Sequence, residues 1–231
     1  MIFPDLPDGL IDKMTSRPFQ LQSRLERTHD EVCNALWSER TREGFWLGEL
    51  ASSALATATA VSALSLVRSA VSESELSALV SNGIRWLVAH QATDGGGGDT
   101  TINVSNISTT MLVRAAFELA GETNRHEAVI ERARSYIERH GGSIAMVARY
   151  GKDRTFAVPI LANCALAGQA TWSDVAWLPF ELACLPHGLY RFLRLHVVSY
   201  ALPALIAIGQ LIHTRRPNWN PIIRLIRQLA I

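Results

Sequence analysis

The stretch Ala51–Val67, ASSALATATAVSALSLV, carries no charged residue and is built only from Ala, Ser, Thr, Val and Leu. No glycine or proline interrupts it, so a helix is its natural conformation. A helix that is apolar or small all round has no face to offer water, and it is stable only when protein encloses it. Asn106–Ala120 (NISTTMLVRAAFELA), Thr155–Ala167 (TFAVPILANCALA) and His196–Gly209 (HVVSYALPALIAIG) have nearly the same character. Each of these four segments therefore predicts an inner helix, and whatever surrounds them has to be amphipathic.

The intervening segments are amphipathic. In Glu73–His90, Leu76, Leu79, Val80, Gly83, Ile84 and Leu87 recur at the spacing of one helix face, and Ser72 with Glu75 offers a capping box. His126–His140 turns Val129, Ile130, Ala133 and Ile137 inward, with Asn124 and Glu127 as its cap. Leu21–Arg40 and Pro217–Ala230 read as further outer helices, and residues 172–184 as a short one. Nothing alternates with strand periodicity. Gly-containing turns precede the inner segments at Glu43–Leu50 (EGFWLGEL), Asp94–Thr101 (DGGGGDTT) and Gly141–Gly151 (GGSIAMVARYG). The period is roughly 45–50 residues, a length at which helical hairpins form arrays. The expected fold is all-α, a partial α/α toroid of helical hairpins. Residues 1–20 are an N-terminal extension and 21–231 a single domain. An incomplete ring should leave apolar inner surface at its edges.

Composition removes several function classes. The net charge is +1, which gives no electrostatic footprint for nucleic acid. The three cysteines, Cys33, Cys164 and Cys184, suit a reducing cytoplasm better than a disulfide framework. The start, MIFPDLPDGL, has acids and prolines where a signal peptide needs basic charge and an apolar run, so the N-x-S triplets at Asn103 and Asn106 are not expected to be glycosylated. His196–Ile212 is short for a membrane span and contains His196, Pro203 and Gln210, so it reads as a buried helix.

The four glycines Gly95–Gly98, set between Asp94 and Asp99, invite a ligand reading. A phosphate loop needs Gly-Lys-Ser or Gly-Lys-Thr, and the chain's single Gly-Lys, Gly151-Lys152, precedes Asp153. A dinucleotide fingerprint needs a preceding strand, whereas Gly83–His90 reads as a helix. A repeat-type calcium turn counted from Gly95 places Thr100, not Asp99, at the ligand position. The glycines are expected to form a helix end and a turn, with Asp99 and Thr100 capping the next helix.

With its flanks, Gly83–Thr100 (GIRWLVAHQATDGGGGDT) resembles the QW repeat of the squalene-hopene cyclase and oxidosqualene cyclase family. Gly83, Trp86-Leu87, Gln91 and Asp94-Gly95-Gly96 match, and Gly97 stands where the family has a tryptophan. Gly44 and Trp46 form a second, degenerate copy; Thr109-Thr110 resembles the pair that opens an inner helix; and Ala165–Pro186 followed by Tyr190–Gln210 is similar to the N-terminal domain of a bacterial cyclase, with Pro179-Phe180-Glu181 in place of its Pro-Pro-Glu-type segment. In the family the tryptophan ties adjacent hairpins together, so Gly97→Trp is expected to raise thermal stability where space for the ring persists.

The resemblance implies a domain that shapes an apolar cavity for an isoprenoid or triterpene. In the family, the middle aspartate of a D-x-D-D motif in the other domain protonates an alkene or epoxide. A carboxylic acid is too weak for this unless its neighbours tune it in a dry site, and aromatic faces then stabilise the cations. None of this chain's eight aspartates is adjacent to another or separated from one by a single residue, so the initiating acid is absent and no catalytic residue is assigned. The cavity candidates are Phe156, Pro159, Asn163 and Tyr200; Asn163 is a poor cation stabiliser. A partner is implied, either a second cyclase chain or another copy, with a non-catalytic isoprenoid-binding module or a decayed fragment as the alternatives. Trp172, Trp177, Phe180, Leu185, Tyr190 and Phe192, with Arg191 and Arg194, compare with the family's membrane-facing region and imply contact with a membrane surface by a cytoplasmic protein.

No cofactor or metal is expected. The related prenyltransferase subunits bind zinc through Asp, Cys and His, but no D-x-C occurs here, and Cys184-Leu185-Pro186-His187 lacks a second ligand pair. His29, Asp30 and Cys33 lie within about a turn and a half of one exposed helix, without an oxyanion hole, and no G-x-S-x-G elbow occurs.

Overall fold

The computed structural model describes the backbone of residues 8–48, 50–70, 74–151, 154–192 and 202–230. Ten α-helices account for most of it: α1 (Asp8–Ser38), α2 (Ala54–Ala70), α3 (Ser74–Ala89), α4 (Ile107–Ala120), α5 (Glu127–Arg139), α6 (Gly142–Tyr150), α7 (Arg154–Leu166), α8 (His187–Phe192), α9 (Leu202–Arg215) and α10 (Pro221–Leu229). Short 3-10 turns occupy Asn124–His126 and Phe180–Cys184. Two isolated β-bridges are the extended pairing among the described residues, and the fold is all-α. The chain forms two compact units, Met1–Leu50 and Ala51–Ile231.

The larger unit is organised around α4, which touches α2, α3, α5, α6 and α7. Nearly all of α4 is buried, and Phe117, Ala115 and Ala116 are fully so. Its charged residues, Arg114 and Glu118, lie on the one side that reaches solvent. The side chain of Asn106 accepts the N–H of Thr109 and starts the helix; Gly121, at φ 75°, ends it by turning its N–H back to the Phe117 and Glu118 carbonyls. The predominantly apolar helices touch in order, α2 to α4, α4 to α7 and α7 to α9, and form an inner row. Outside it, α3 packs on α2 and α4, and α5 packs on α4. Gly83 allows the closest of these approaches: a Cβ there would lie 2.4 Å from Val61 Cγ2.

Enclosure fails at the ends of the row. On α2, Ala54, Ala58, Val61, Ser62 and Ser65 are buried, while Leu55, Ala56, Thr59, Ala60, Ala63, Leu66 and Val67 form an exposed, uncharged face. On α9 only Gly209, Ile212 and His213 are buried, against the expectation of a buried helix, because α7 and the 3-10 turn at Phe180–Cys184 are the neighbours that touch it. Its expected first residues, His196–Ala201, lie outside the described residues.

Three local expectations need correction. Gly141–Gly151 is not a turn: its glycines flank a helix, α6, whose run of helix-forming residues between them seats Met146 in the core. Residues 172–179 are irregular, and only Phe180–Cys184 winds into a 3-10 turn. Asn124 does not cap α5; it lies in a 3-10 turn, and no side chain caps the helix after it. The capping residue expected for α3, Ser72, lies outside the described residues.

Because Phe117 fills the centre of the helix that every neighbour touches, Phe117→Ala is expected to cost about 3–5 kcal/mol. Urea unfolding followed by circular dichroism measures this, and a loss below about 1 kcal/mol would mean that α4 is not the hub.

Candidate functional site

The glycine segment folds as a compact turn after α3. Gly95, at φ 88°, donates its N–H to the Ala92 carbonyl at 3.0 Å, and Ala92 donates to the Gly96 carbonyl at 3.0 Å. Gly97 forms a β-bridge with Asn106 and donates its N–H to Thr110 Oγ1 at 3.0 Å. All four glycines are buried. A Cβ on Gly96 would meet Ser105 at 2.6 Å, and one on Gly98 would meet the Asn103 carbonyl at 2.5 Å, so close packing excludes side chains there. No phosphate or calcium cradle is formed, because the amides and carboxylates of the turn are spent on the protein itself. Asp94 accepts from Gly96 N–H and from Ser105 Oγ–H. Asp99 accepts from Asn106 Nδ2 at 2.8 Å and Thr109 Oγ1 at 2.6 Å, and its carbonyl accepts from Ser53 Oγ–H. Asp99 thus braces the capping residue and does not cap α4 itself, while Ser53 caps α2 by accepting the Ala56 N–H.

The N-terminal unit contains the same turn. Gly44, at φ 92°, donates to the Thr41 carbonyl and Thr41 donates to the Phe45 carbonyl; Trp46 pairs back to Arg40, whereas Gly97 pairs forward to Asn106. Arg40 Nε donates to the Gly44 carbonyl at 2.8 Å, as Gln91 Nε2 donates to the Gly95 carbonyl at 2.9 Å. Trp46 and Gly97 are therefore structural equivalents. Trp46 stacks at a tilt against Trp37, and the Arg40 guanidinium lies 5.5 Å from the centre of each ring. The ends of the outer helices repeat as well. His90 stacks on Trp86 and His140 on Tyr136, each at 4.0 Å, and each histidine bonds through Nδ1 to the carbonyl four residues back.

This internal repeat agrees with a family-level match: residues 30–220 fit the model of the squalene-hopene cyclase N-terminal domain. The chain belongs to the squalene-hopene cyclase N-terminal domain family. No curated protein and no solved structure shows significant similarity to it.

Within this cyclase-family domain the cavity candidates fall on α7. Phe156 is 56 % exposed, and its ring lies 6.0 Å from that of Tyr150, whose hydroxyl donates to Ser108 Oγ. Pro159 is half-buried inside the helix. Asn163 is half-buried and donates through Nδ2 to Ser62 Oγ on α2 at 3.3 Å. Tyr200 lies outside the described residues. The structure thus brings Asn163 to Ser62, a residue that the sequence pattern does not single out. Ser65, one turn further along α2, is buried with its hydroxyl unpartnered. These small polar groups sit where an inner row would otherwise present carbon alone. The Cys164 thiol, also on α7, is pushed up to about 12 by burial and is no nucleophile at neutral pH.

The remaining candidate groups are structural or exposed. On α1 His29 contacts both Asp30 and the half-buried Cys33, with its Nε2 3.5 Å from the Cys33 sulfur. Among the described residues no group of three His, Cys, Asp or Glu side chains is placed to hold a metal, and no helix is long and apolar enough to cross a membrane. Of the aromatic stretch, Phe180 is buried, Trp172, Trp177 and Tyr190 are half-buried, and Leu185 and Phe192 are exposed. Trp177 and Phe180 flank Arg227 of α10, whose side chain is 4 % exposed and whose guanidinium makes paired bonds to Glu181 at 3.0 and 3.1 Å. Beside them His213 is buried with Nδ1 unpartnered; burial, then Arg227 and Arg224, lower its pKa against the opposing pull of Glu181.

The contacts at Gly97 and at His213 each have a measurable consequence. At Gly97 a Cβ would make only ordinary contacts, 3.6 Å from Thr109, 3.8 Å from Val113 and 3.9 Å from Ala54. The adjoining pocket, lined in part by Gln91, Leu87 and Ala133, has room for about one water molecule and none for an indole. The expected gain from Gly97→Trp is therefore reversed: the ring has to displace α2 and α4 side chains and should cost about 1–3 kcal/mol, whereas Gly97→Ala should gain up to about 1 kcal/mol. Paired thermal melts measure the difference, and a tryptophan variant that melts higher than the alanine variant would show that the turn still admits the ring. At His213 the native state holds the ring neutral more strongly than the unfolded chain does. Its contribution to stability is therefore complete above the ordinary histidine pKa near 6.5 and declines as pH falls below it. His213→Gln should flatten the slope of stability against pH below about 6.5, and an unchanged slope in urea titrations would place the titration elsewhere.

Proposed function

We propose that the chain shapes one wall of an apolar isoprenoid or triterpene cavity and that a partner supplies the acid that starts cyclisation. The partner is a second cyclase chain carrying D-x-D-D or a further segment of that kind. The observation that carries this reading is the exposed face of α2. Seven residues without charge, from Leu55 to Val67, look out from the inner row of a squalene-hopene cyclase N-terminal domain, and a surface of that composition favours a protein or lipid covering. The absence of closely spaced aspartates from the sequence supports the division of labour. Without such an acid no alkene is protonated, and cations have nowhere to form.

The pairing of Asn163 with Ser62, beside the unpartnered Ser65 hydroxyl, favours a second reading. Ser62 and Ser65 are buried on α2 and lie off its exposed face; the second reading is a non-catalytic binder of an isoprenoid whose polar end reaches the half-buried Asn163 amide.

Co-expression with a D-x-D-D-bearing cyclase chain separates the two. The first reading expects a co-purifying complex that converts squalene to cyclised product and loses that activity when Ala60 and Ala63 on α2 are both replaced by Glu. Neither complex nor product leaves the first reading without support. Native mass spectrometry after mild extraction should then show a retained isoprenoid, and an empty protein would remove the second reading too.

A further inference from the structure

The C-terminal helix α10 is fastened to the larger unit through one buried side chain. Arg227 is the enclosed residue of the helix, and the 3-10 turn at Phe180–Cys184 is the element it reaches. Its Nε and Nη2 donate to the two oxygens of Glu181, and Nη2 also donates to the Leu178 carbonyl at 3.4 Å. The guanidinium lies 5.0 Å from the ring centre of Trp177 and 5.4 Å from that of Phe180, so two aromatic rings and one carboxylate hold it. Phe180 in turn is pressed by α9: a Cβ on Gly209 would lie 2.8 Å from Phe180 Cβ. One turn further along α9, the ring of His213 lies 6.1 Å from that of Phe180. Phe180 is thus shared by His213 and Arg227.

The charge around this junction is unbalanced. Facing His213 are Arg224 and Arg227 from α10 and Glu181 from the 3-10 turn. From α7, which also packs on α9, comes the Cys164 thiol, held uncharged by burial. The last residue of α9 is the exposed Arg215, followed by Arg216, which lies over Trp177 and donates to the Trp172 and Ser173 carbonyls. Glu181 is the one carboxylate among these groups, and Arg227 already takes both its oxygens. His213 is 5 % exposed with Nδ1 unpartnered, and Arg227 Nη1 is buried and unpartnered as well. A neutral ring tolerates this setting. A protonated ring has an N–H on both nitrogens, and the one on Nδ1 has no acceptor and no access to water. We propose that His213 is the acid-sensitive release of this junction. A proton taken up from solvent leaves an imidazolium that draws the Glu181 carboxylate away from Arg227. Arg227 then withdraws from Trp177 and Phe180, and α10 detaches while α4 and the helices around it stay folded. The device stands on these contacts and is independent of the cavity reading.

Hydrogen exchange read by mass spectrometry on the full chain tests it, at about pH 7.5 and about pH 5.5, on either side of the ordinary histidine value. After correction for the intrinsic pH dependence of exchange, α10 is expected to exchange about tenfold faster at the lower pH, while the peptides of α4 stay protected. His213→Gln, whose side chain is polar but does not titrate, should make the protection of α10 equal at the two pH values. Glu181→Gln, which removes the charge that holds Arg227, should leave α10 open at both. Protection of α4 in each variant separates an open junction from a lost fold. Protection of α10 that does not change with pH in the parent protein overturns the proposal. The same acid loss in His213→Gln overturns it too, because the titration then belongs to another group. Loss of α4 together with α10 overturns the local release in favour of acid unfolding of the whole unit. Where glutamine loosens α10 at both pH values, His213→Phe restores a ring without a proton site: a protected, pH-independent α10 supports the release, and an α10 that is open at both or still lost in acid overturns it.

Discussion

The structure of the larger unit depends on one constraint: apart from the side that carries Arg114 and Glu118, α4 has almost no surface suited to water and has to be covered. A fourteen-residue helix with Met111, Leu112, Val113, Ala115, Ala116 and Phe117 buried can persist only inside a cage, and α2, α3, α5, α6 and α7 supply it. The apolar burial provides the driving force, but the ends of the helix set the geometry. Asn106 and Gly121 close its orphan N–H and C=O groups, and Asp99, held by Asn106 and Thr109, fastens the glycine turn to the first turn of the helix. The same aspartate's carbonyl receives Ser53, which caps α2. One short loop therefore fixes the starts of two inner helices and the end of an outer one.

Most of the architecture is legible in the sequence because burial leaves a compositional mark. The charge-free runs mark α2 and α7, the nearly apolar run marks α4, and the spacing of Val80, Ile84 and Leu87 marks the side of α3 that packs on α2 and α4. Leu79, which shares that spacing, is exposed, since a face drawn from spacing alone is wider than the surface it finds to cover. What escapes is local chemistry that composition does not encode. Glycines flanking Ser143–Tyr150 suggest a turn because glycine ends a helix as readily as it makes a loop, and only the buried Met146 shows which applies. Asp99 has the chemistry of a cap and precedes the helix, yet the capping residue is Asn106, seven positions on, after a loop whose length the sequence does not reveal. The inward anchoring of α10 is equally hidden, since it depends on Glu181, far away in sequence.

The repeated turn links fold to family. Trp46 and Gly97 occupy one structural position in two copies of the same hydrogen-bonded turn, and the ring kept in one is missing from the other. Thr109, Val113 and Ala54 stand within 3.6–3.9 Å of where a Cβ on Gly97 would lie, so the second copy has no space for an indole. The family match spans residues 30–220 and so covers the inner row and both copies of the turn. The larger unit is closed around α4, open along α2, and apolar on the outward side of α10.

Native-state hydrogen exchange tests the central claim most directly. If α4 is the hub, the amides from Met111 to Ala120 should exchange only through global unfolding, with the highest protection in the chain and a free energy that tracks the denaturant midpoint. The amides of α9 and α10, each touched by few neighbours, should exchange through smaller openings. Exchange of α4 through a local opening, at a free energy no greater than that of α10, would contradict the account.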